Sequence, residues 1–83
     1  MRLHIKYFAA IREALGQGSE SFESTAGTVG ALRDELIARG GAFAEALARG
    51  KAVRVAVNQT MGDESVLLQD GAEVAFFPPV TGG

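Results

Sequence analysis

One atom group in this chain is placed as a reactive centre would be. It is the α-carboxylate at the end of Phe76-Phe77-Pro78-Pro79-Val80-Thr81-Gly82-Gly83. A carboxylate is a poor acyl donor until it is activated, but it can be activated and then carry a group as an acyl derivative. The residues before it suit that use. Pro78 and Pro79 lack an N–H and have a fixed φ, so they end a sheet ladder and favour an extended path. From Pro78 to Gly83 are six residues, a reach of roughly 20 Å when extended. Gly82 and Gly83 have no Cβ, so the carboxylate is carried on the thinnest strip a polypeptide offers. We therefore expect a spout, Pro78, Pro79, Val80, Thr81 and Gly82, that threads a narrow channel in a partner and presents Gly83 at its tip.

The rest of the chain offers little competing chemistry. There is no cysteine, so thiolate nucleophiles and sulfur-based zinc sites are excluded. The single histidine, His4, falls among charged neighbours in a strand-like stretch, and no nucleophile, base and orienting group come together around it. Asp63 and Glu64 are adjacent, so their side chains diverge, and no metal site is expected. Gly16-Gln17-Gly18 lacks the third glycine and the Lys-Ser/Thr of a phosphate loop and reads as a turn. The body looks like a carrier and not a catalyst.

At 83 residues the chain makes a single domain, 1–83, with 47% hydrophobic and 22% charged residues, the composition of a folded globular protein. No apolar run approaches the roughly 20 residues that a membrane span needs, and no signal-peptide core is visible, so we expect a cytoplasmic protein and no membrane partner. All eight basic residues lie at or before Arg54, and the 29 residues after it carry Asp63, Glu64, Asp70 and Glu73. That distribution argues against nucleic acid as a partner and predicts an acidic flank beside the tail.

The elements that must position the tail follow from periodicity. Leu3, Ile5 and Tyr7 alternate with Arg2, His4, Lys6 and Phe8, a half-buried first strand. Ala9 to Leu15 suits a helical turn stopped by Gly16, and Glu20 to Ser24 a short polar strand anchored by Phe22. Thr28 caps a helix over 29–39 whose Val29, Leu32 and Leu36 face the sheet while Arg33, Asp34 and Glu35 are solvated. Gly40-Gly41 ends it, and a short helix over 42–49 offers Phe43 and Leu47. Ala52 to Val57 is β-branched and strand-like, Asn58-Gln59 opens a loop carrying Met61, Val66 to Leu68 is a short apolar piece, and Asp70-Gly71 turns into the last strand, 73–77. Together these predict an α+β fold, a mixed sheet with one main helix and a second short helix on one face. Parity leaves Phe8, Ala56 and Phe77 on the open face with Arg2, Lys6 and Arg54. Exposed apolar residues there, joined by Met61, would make a docking patch.

The ending from Asp70 to Gly83 closely resembles that of the MoaD family, the sulfur-carrier (small) subunits of molybdopterin synthase. Ala56-Val57-Asn58-Gln59-Thr60 and Tyr7-Phe8-Ala9 with Ile11-Arg12-Glu13 also resemble that family, whereas the middle, 16–50, is generic. The resemblance implies a ubiquitin-like β-grasp fold with a flexible C-terminal Gly-Gly tail. It implies no bound cofactor. A MoeB-like adenylating partner would use ATP to activate the Gly83 carboxylate, and a sulfur donor carrying a persulfide would convert it to a thiocarboxylate, a C-terminal thioglycine. The tail would then enter a large, MoaE-like subunit, in a heterotetramer, and give its sulfur to cyclic pyranopterin monophosphate to build the molybdopterin dithiolene. The large subunit would supply the catalytic groups, and Phe8, Met61 and Phe77 would correspond to the family's docking face. Two other readings stand beside this one. One is a related thiocarboxylate carrier of thiamine-thiazole or protein-modifier type; the other is a β-grasp interaction module with no chemistry of its own.

Overall fold

The computed structural model describes residues 1–79; Val80, Thr81, Gly82 and Gly83 lie outside the described residues. In chain order the elements are β1 (Arg2–Tyr7), α1 (Ala9–Leu15), β2 (Ser19–Glu23), α2 (Val29–Ile37), α3 (Gly41–Ala46), β3 (Arg54–Val57), β4 (Thr60–Gly62) and β5 (Glu73–Phe77). The strands form one sheet in the order β2-β1-β5-β3-β4. Only β1 and β5 run parallel; the other pairs are antiparallel. The β1–β2 unit, a helical crossover and a last strand inserted beside the first make this a β-grasp arrangement, α+β with a mixed sheet.

The core sits on one side of that sheet. Leu3, Ile5 and Tyr7 of β1, Val55 of β3 and Val74 and Phe76 of β5 meet Ile11 of α1, Val29, Leu32 and Leu36 of α2, and Leu47 after α3 in a single buried cluster. The period-two and helical patterns of the sequence are thus satisfied by the same layer. Tyr7 stacks on Phe76 with centroids 6.4 Å apart and meets the edge of Phe43 at 6.1 Å. Its hydroxyl donates to Glu20 at 2.7 Å, and Glu20 pairs with Arg39, whose guanidinium lies 4.0 Å over the Phe43 ring. Burial, then the Glu20 hydrogen bond, pushes the Tyr7 phenol well above its ordinary range. It is a structural donor and is not poised to ionise.

Local signals set the ends of the elements. Gly16 takes the left-handed conformation, φ 73°, that closes α1, with its N–H on the Arg12 carbonyl. The Thr28 hydroxyl accepts from the Ala31 N–H at 3.2 Å. The other free N–H groups at that end, of Val29 and Gly30, find the carbonyls of Val66 and Glu64 at 3.1 and 2.9 Å. Gly30 packs closely there, since a Cβ would sit 3.3 Å from the Glu64 carbonyl oxygen, tighter than most Cβ contacts.

Several sequence expectations need correction. The loop expected after Asn58 contains a strand: Asn58 and Gln59 both have positive φ, 49° and 69°, forming a two-residue hairpin turn into β4. Three residues are too few to show a period, so β4 left no pattern. The short apolar piece Val66 to Leu68 contributes a single bridge, Thr28 to Leu67, and Leu67 is 75% exposed. The segment 9–15 is a helix in its own right, so three helices cover the face instead of two. The short helix ends at Ala46, before Leu47 turns away. Arg33, expected in solvent, is 5% exposed.

Candidate functional site

The site is best described as an exit. β5 is held between β1 and β3, with Val74 and Phe76 fully buried beneath it, and it ends where Phe77 meets the two prolines. In the next strand Arg54, the first residue of β3, is the register partner of Phe77. On the other side the Phe8 N–H bonds the Phe76 carbonyl at 3.1 Å, so pairing with β1 persists to the last turn of the strand. The strand leading to Pro78 is thus held by both neighbours at Phe76 and by β3 at Phe77. Val80, Thr81, Gly82 and Gly83, the expected business end, lie outside the described residues; Pro78 and Pro79 are half-buried at the edge of the body.

The open face of the sheet is arranged by register. Lys6 pairs with Ala75, Ala75 with Ala56, and Ala56 with Met61, so these four lie in one row across β1, β5, β3 and β4. Because small alanines occupy its middle, the row is a shallow apolar strip with a cation at one end and a thioether at the other. Met61 is 58% exposed and Phe8 46%. By register Phe77 stands at the exit opposite Arg54, Phe8 follows β1 with its N–H on Phe76, and Met61 of β4 lies in the Ala75 row, two residues back along β5. Phe77 is half-buried, however, and not exposed as expected; it is the register partner of Arg54 in β3. Met61 rides on a strand and not on a loop.

Asn58 supports this face, and nothing in its local sequence revealed that role. Its N–H donates to the Glu73 carbonyl at 2.8 Å and its side-chain oxygen accepts from the Glu73 N–H at 3.0 Å. The hairpin that carries Met61 is thereby tied to the start of β5. Asparagine tolerates the left-handed backbone better than most residues, which suits it to the turn.

The acidic flank expected beside the tail is not there. Asp70 and Glu73 lie at the far end of β5, where Asp70 accepts from the Arg2 N–H at 2.7 Å and Glu73 pairs with Lys6 at 3.3 Å. Glu64 turns to the helical side, where hydrogen bonds from Arg49 hold its carboxyl below the usual range despite burial, with Arg33 adding to the effect. Asp63 is occupied by the hydroxyl and N–H of Ser65. The residues nearest the exit are basic instead. Arg54 faces Phe77, and Lys51 lines a hollow of about 160 Å³ with Ala10, Ile11, Val53 and Pro78. Charge order along the chain misled because β5 runs away from its acidic start, a fact only the topology contains.

Among the described residues no three His, Asp or Glu side chains gather as a metal site would require. No helix is long and apolar enough to cross a membrane among those residues. His4 lies beside Ser21, its Nδ1 3.4 Å from the hydroxyl, on the exposed face. What the arrangement can do chemically is hold the point where the chain leaves β5 beside an apolar face.

Comparison with known proteins agrees with that geometry. A profile described as the ThiS family matches residues 5–83. The molybdopterin synthase sulfur carrier subunit of Escherichia coli is 43% identical over 81 residues, covering 98% of this chain and 99% of that protein. The corresponding subunit of Haemophilus influenzae is 41% identical with the same coverage. Among solved structures, SAMP1 from Haloferax volcanii superposes with a TM-score of 0.76 at 26% identity over the whole of both chains.

Proposed function

Because this chain belongs to the ThiS family, and within it to the molybdopterin synthase sulfur carrier subunits, we propose that it works through a thiocarboxylate formed at Gly83. An oxygen of the Gly83 carboxylate attacks the α-phosphorus of ATP on an adenylating partner, and pyrophosphate leaves. The resulting acyl adenylate is attacked at its carbonyl carbon by a persulfide sulfur of the donor, releasing AMP. A thiol then cleaves the S–S bond and leaves the sulfur on Gly83, itself becoming part of a disulfide. The thiocarboxylate is ionised at neutral pH and is a better nucleophile than the carboxylate it replaces. Inserted into a larger synthase subunit, it gives its sulfur to cyclic pyranopterin monophosphate. The word subunit in the relatives' names supports that larger partner.

One observation carries the proposal: β5 is paired on both sides up to Phe76 and by β3 alone at Phe77, and then ends in Pro78-Pro79 at the rim of an apolar face. A firmly held strand end leaves more of the docking energy available for alignment. Phe8, Met61 and Phe77 would form the contact that brings partner and tail together.

Incubation with ATP, an adenylating enzyme and sulfide, followed by intact mass, tests this. Replacement of one oxygen by sulfur on the C-terminal residue is the expected result. A chain of unchanged mass would refute it, as would normal activation of a variant extended beyond Gly83 by one bulky residue. The likeness to SAMP1, a small archaeal modifier protein by name, favours a second outcome: transfer of the activated Gly83 acyl group to a lysine amine. That reaction would appear in the same experiment, with protein acceptors present, as a covalent conjugate.

A further inference from the structure

Among the described residues the most heavily bonded side chains are two arginines, Arg33 and Arg49, with four hydrogen bonds each. Arg33, on α2, is almost wholly buried. Its Nε donates to the Leu47 carbonyl at 2.8 Å. One terminal nitrogen donates to the Ala48 and Lys51 carbonyls at 2.7 and 3.2 Å, and the other to Glu64 at 2.8 Å. Three of those acceptors are backbone atoms of the turn 47–51, which connects α3 to β3. The planar fork of a guanidinium suits such a fan of carbonyls, and an ammonium cannot span it.

The same turn reaches back. Arg49 donates to Asp34 at 2.7 Å and to the Gly30 carbonyl at 2.9 Å, both on α2, and also to Glu64. Two arginines therefore lock the turn and α2 reciprocally, one buried and one exposed, with Glu64 bridging them. Lys51, the last residue of the turn, and Ala52 and Val53 after it line the same hollow as Pro78, and the next residue, Arg54, is the partner of Phe77. The path runs without a gap from Arg33 to the point where the chain leaves β5.

We infer that Arg33 is a positioning residue for the tail: by gripping the carbonyls of the turn 47–51 it fixes the start of β3, the strand that pairs with Phe77 just before Pro78. The inference rests on the reading that the residues after Pro78 carry the chemistry. A lock of this kind would influence the alignment of the tail within a partner more than the docking of the open face. Alignment is where small displacements are costly, since an error of about 1 Å at a reacting centre can reduce a rate by about a hundredfold.

The test uses the full chain as substrate for an adenylating enzyme, with pyrophosphate release as the readout. Arg33→Lys keeps the charge and loses the fork; kcat is expected to fall at least tenfold, with KM for the chain within twofold of wild type. Hydrogen exchange at the amides of Arg54 and Phe77 should accelerate in parallel. Arg49→Gln, on the exposed half of the lock, should lower kcat about threefold at unchanged KM, and it decides the matter if Arg33→Lys does not fold. An unchanged kcat in the folded variants would overturn the inference. So would losses in kcat that merely track the unfolded fraction measured by circular dichroism. If wild-type chain releases no pyrophosphate, the functional reading itself falls and takes this inference with it.

Discussion

Three phenylalanines around the exit differ mainly in exposure, and truncating each to alanine separates packing from docking. Phe76 is 1% exposed and stacks on Tyr7; Phe76→Ala should cost about 3–5 kcal/mol of stability. Total stability for a domain of this kind is about 5–15 kcal/mol, and each kcal/mol moves the midpoint by about 4–8 °C. The Tm of Phe76→Ala should therefore drop by roughly 12 °C or more. Phe8 is 46% exposed. If full burial of the side chain is worth about 1.5–3 kcal/mol, folding has realised a little over half and about 1 kcal/mol is left for a partner to gain. Phe8→Ala should then lower Tm by roughly 4–8 °C and weaken binding to a synthase or adenylating partner about fivefold. Half-buried Phe77 should fall between them, losing both stability and affinity. Thermal unfolding by circular dichroism and titration calorimetry with the partner measure the two axes. The reasoning fails if Phe8→Ala destabilises as much as Phe76→Ala. It fails equally if Phe8→Ala and Phe77→Ala leave the affinity untouched.

Two further outcomes follow from the backbone and the carboxylates. Gln59 occupies a left-handed position, φ 69°, in the hairpin turn, where a non-glycine residue is strained by about 1–2 kcal/mol. Part of that gain is offset by the added freedom of glycine in the unfolded chain, so Gln59→Gly should raise Tm by a few degrees, and a lower Tm would contradict the turn assignment. Burial opposes ionisation of Glu35, but hydrogen bonds from Ser24 and Thr25 outweigh it and hold the carboxyl below its ordinary value. Glu64 is depressed by Arg49 and Arg33. A depressed folded value means stability that is present above the ordinary carboxylate range, about 4.3, and is lost as pH falls through the folded values. Tm should thus hold near neutrality and decline in acid. Glu35→Gln should flatten part of the decline, whereas parallel curves for variant and wild type would rule the linkage out.

What could be read from the residues in order was whatever one element settles within itself. The alternation of Leu3, Ile5 and Tyr7, the Thr28 cap, the Val29, Leu32 and Leu36 stripe, the Asp70-Gly71 turn and the stop at Pro78-Pro79 each depend on neighbours a few positions away, and the structure has them all. Folding decided the rest, because long-range pairing chooses partners that no local period encodes. Strand β4 exists because Ala56 and Val57 offer an edge to Met61 and Thr60, not because three residues prefer to be a strand. Arg33 has the composition of a solvated helix position, yet the carbonyls of a turn fourteen residues later draw it inside. Asp70 and Glu73 end up remote from the exit and Glu64 is paired with arginines, since a parallel β5 carries Glu73 to one end of the sheet and Phe77 to the other. Sequence determined that a tail should leave the body here; tertiary packing determined how firmly its starting point is held and which charges stand beside it.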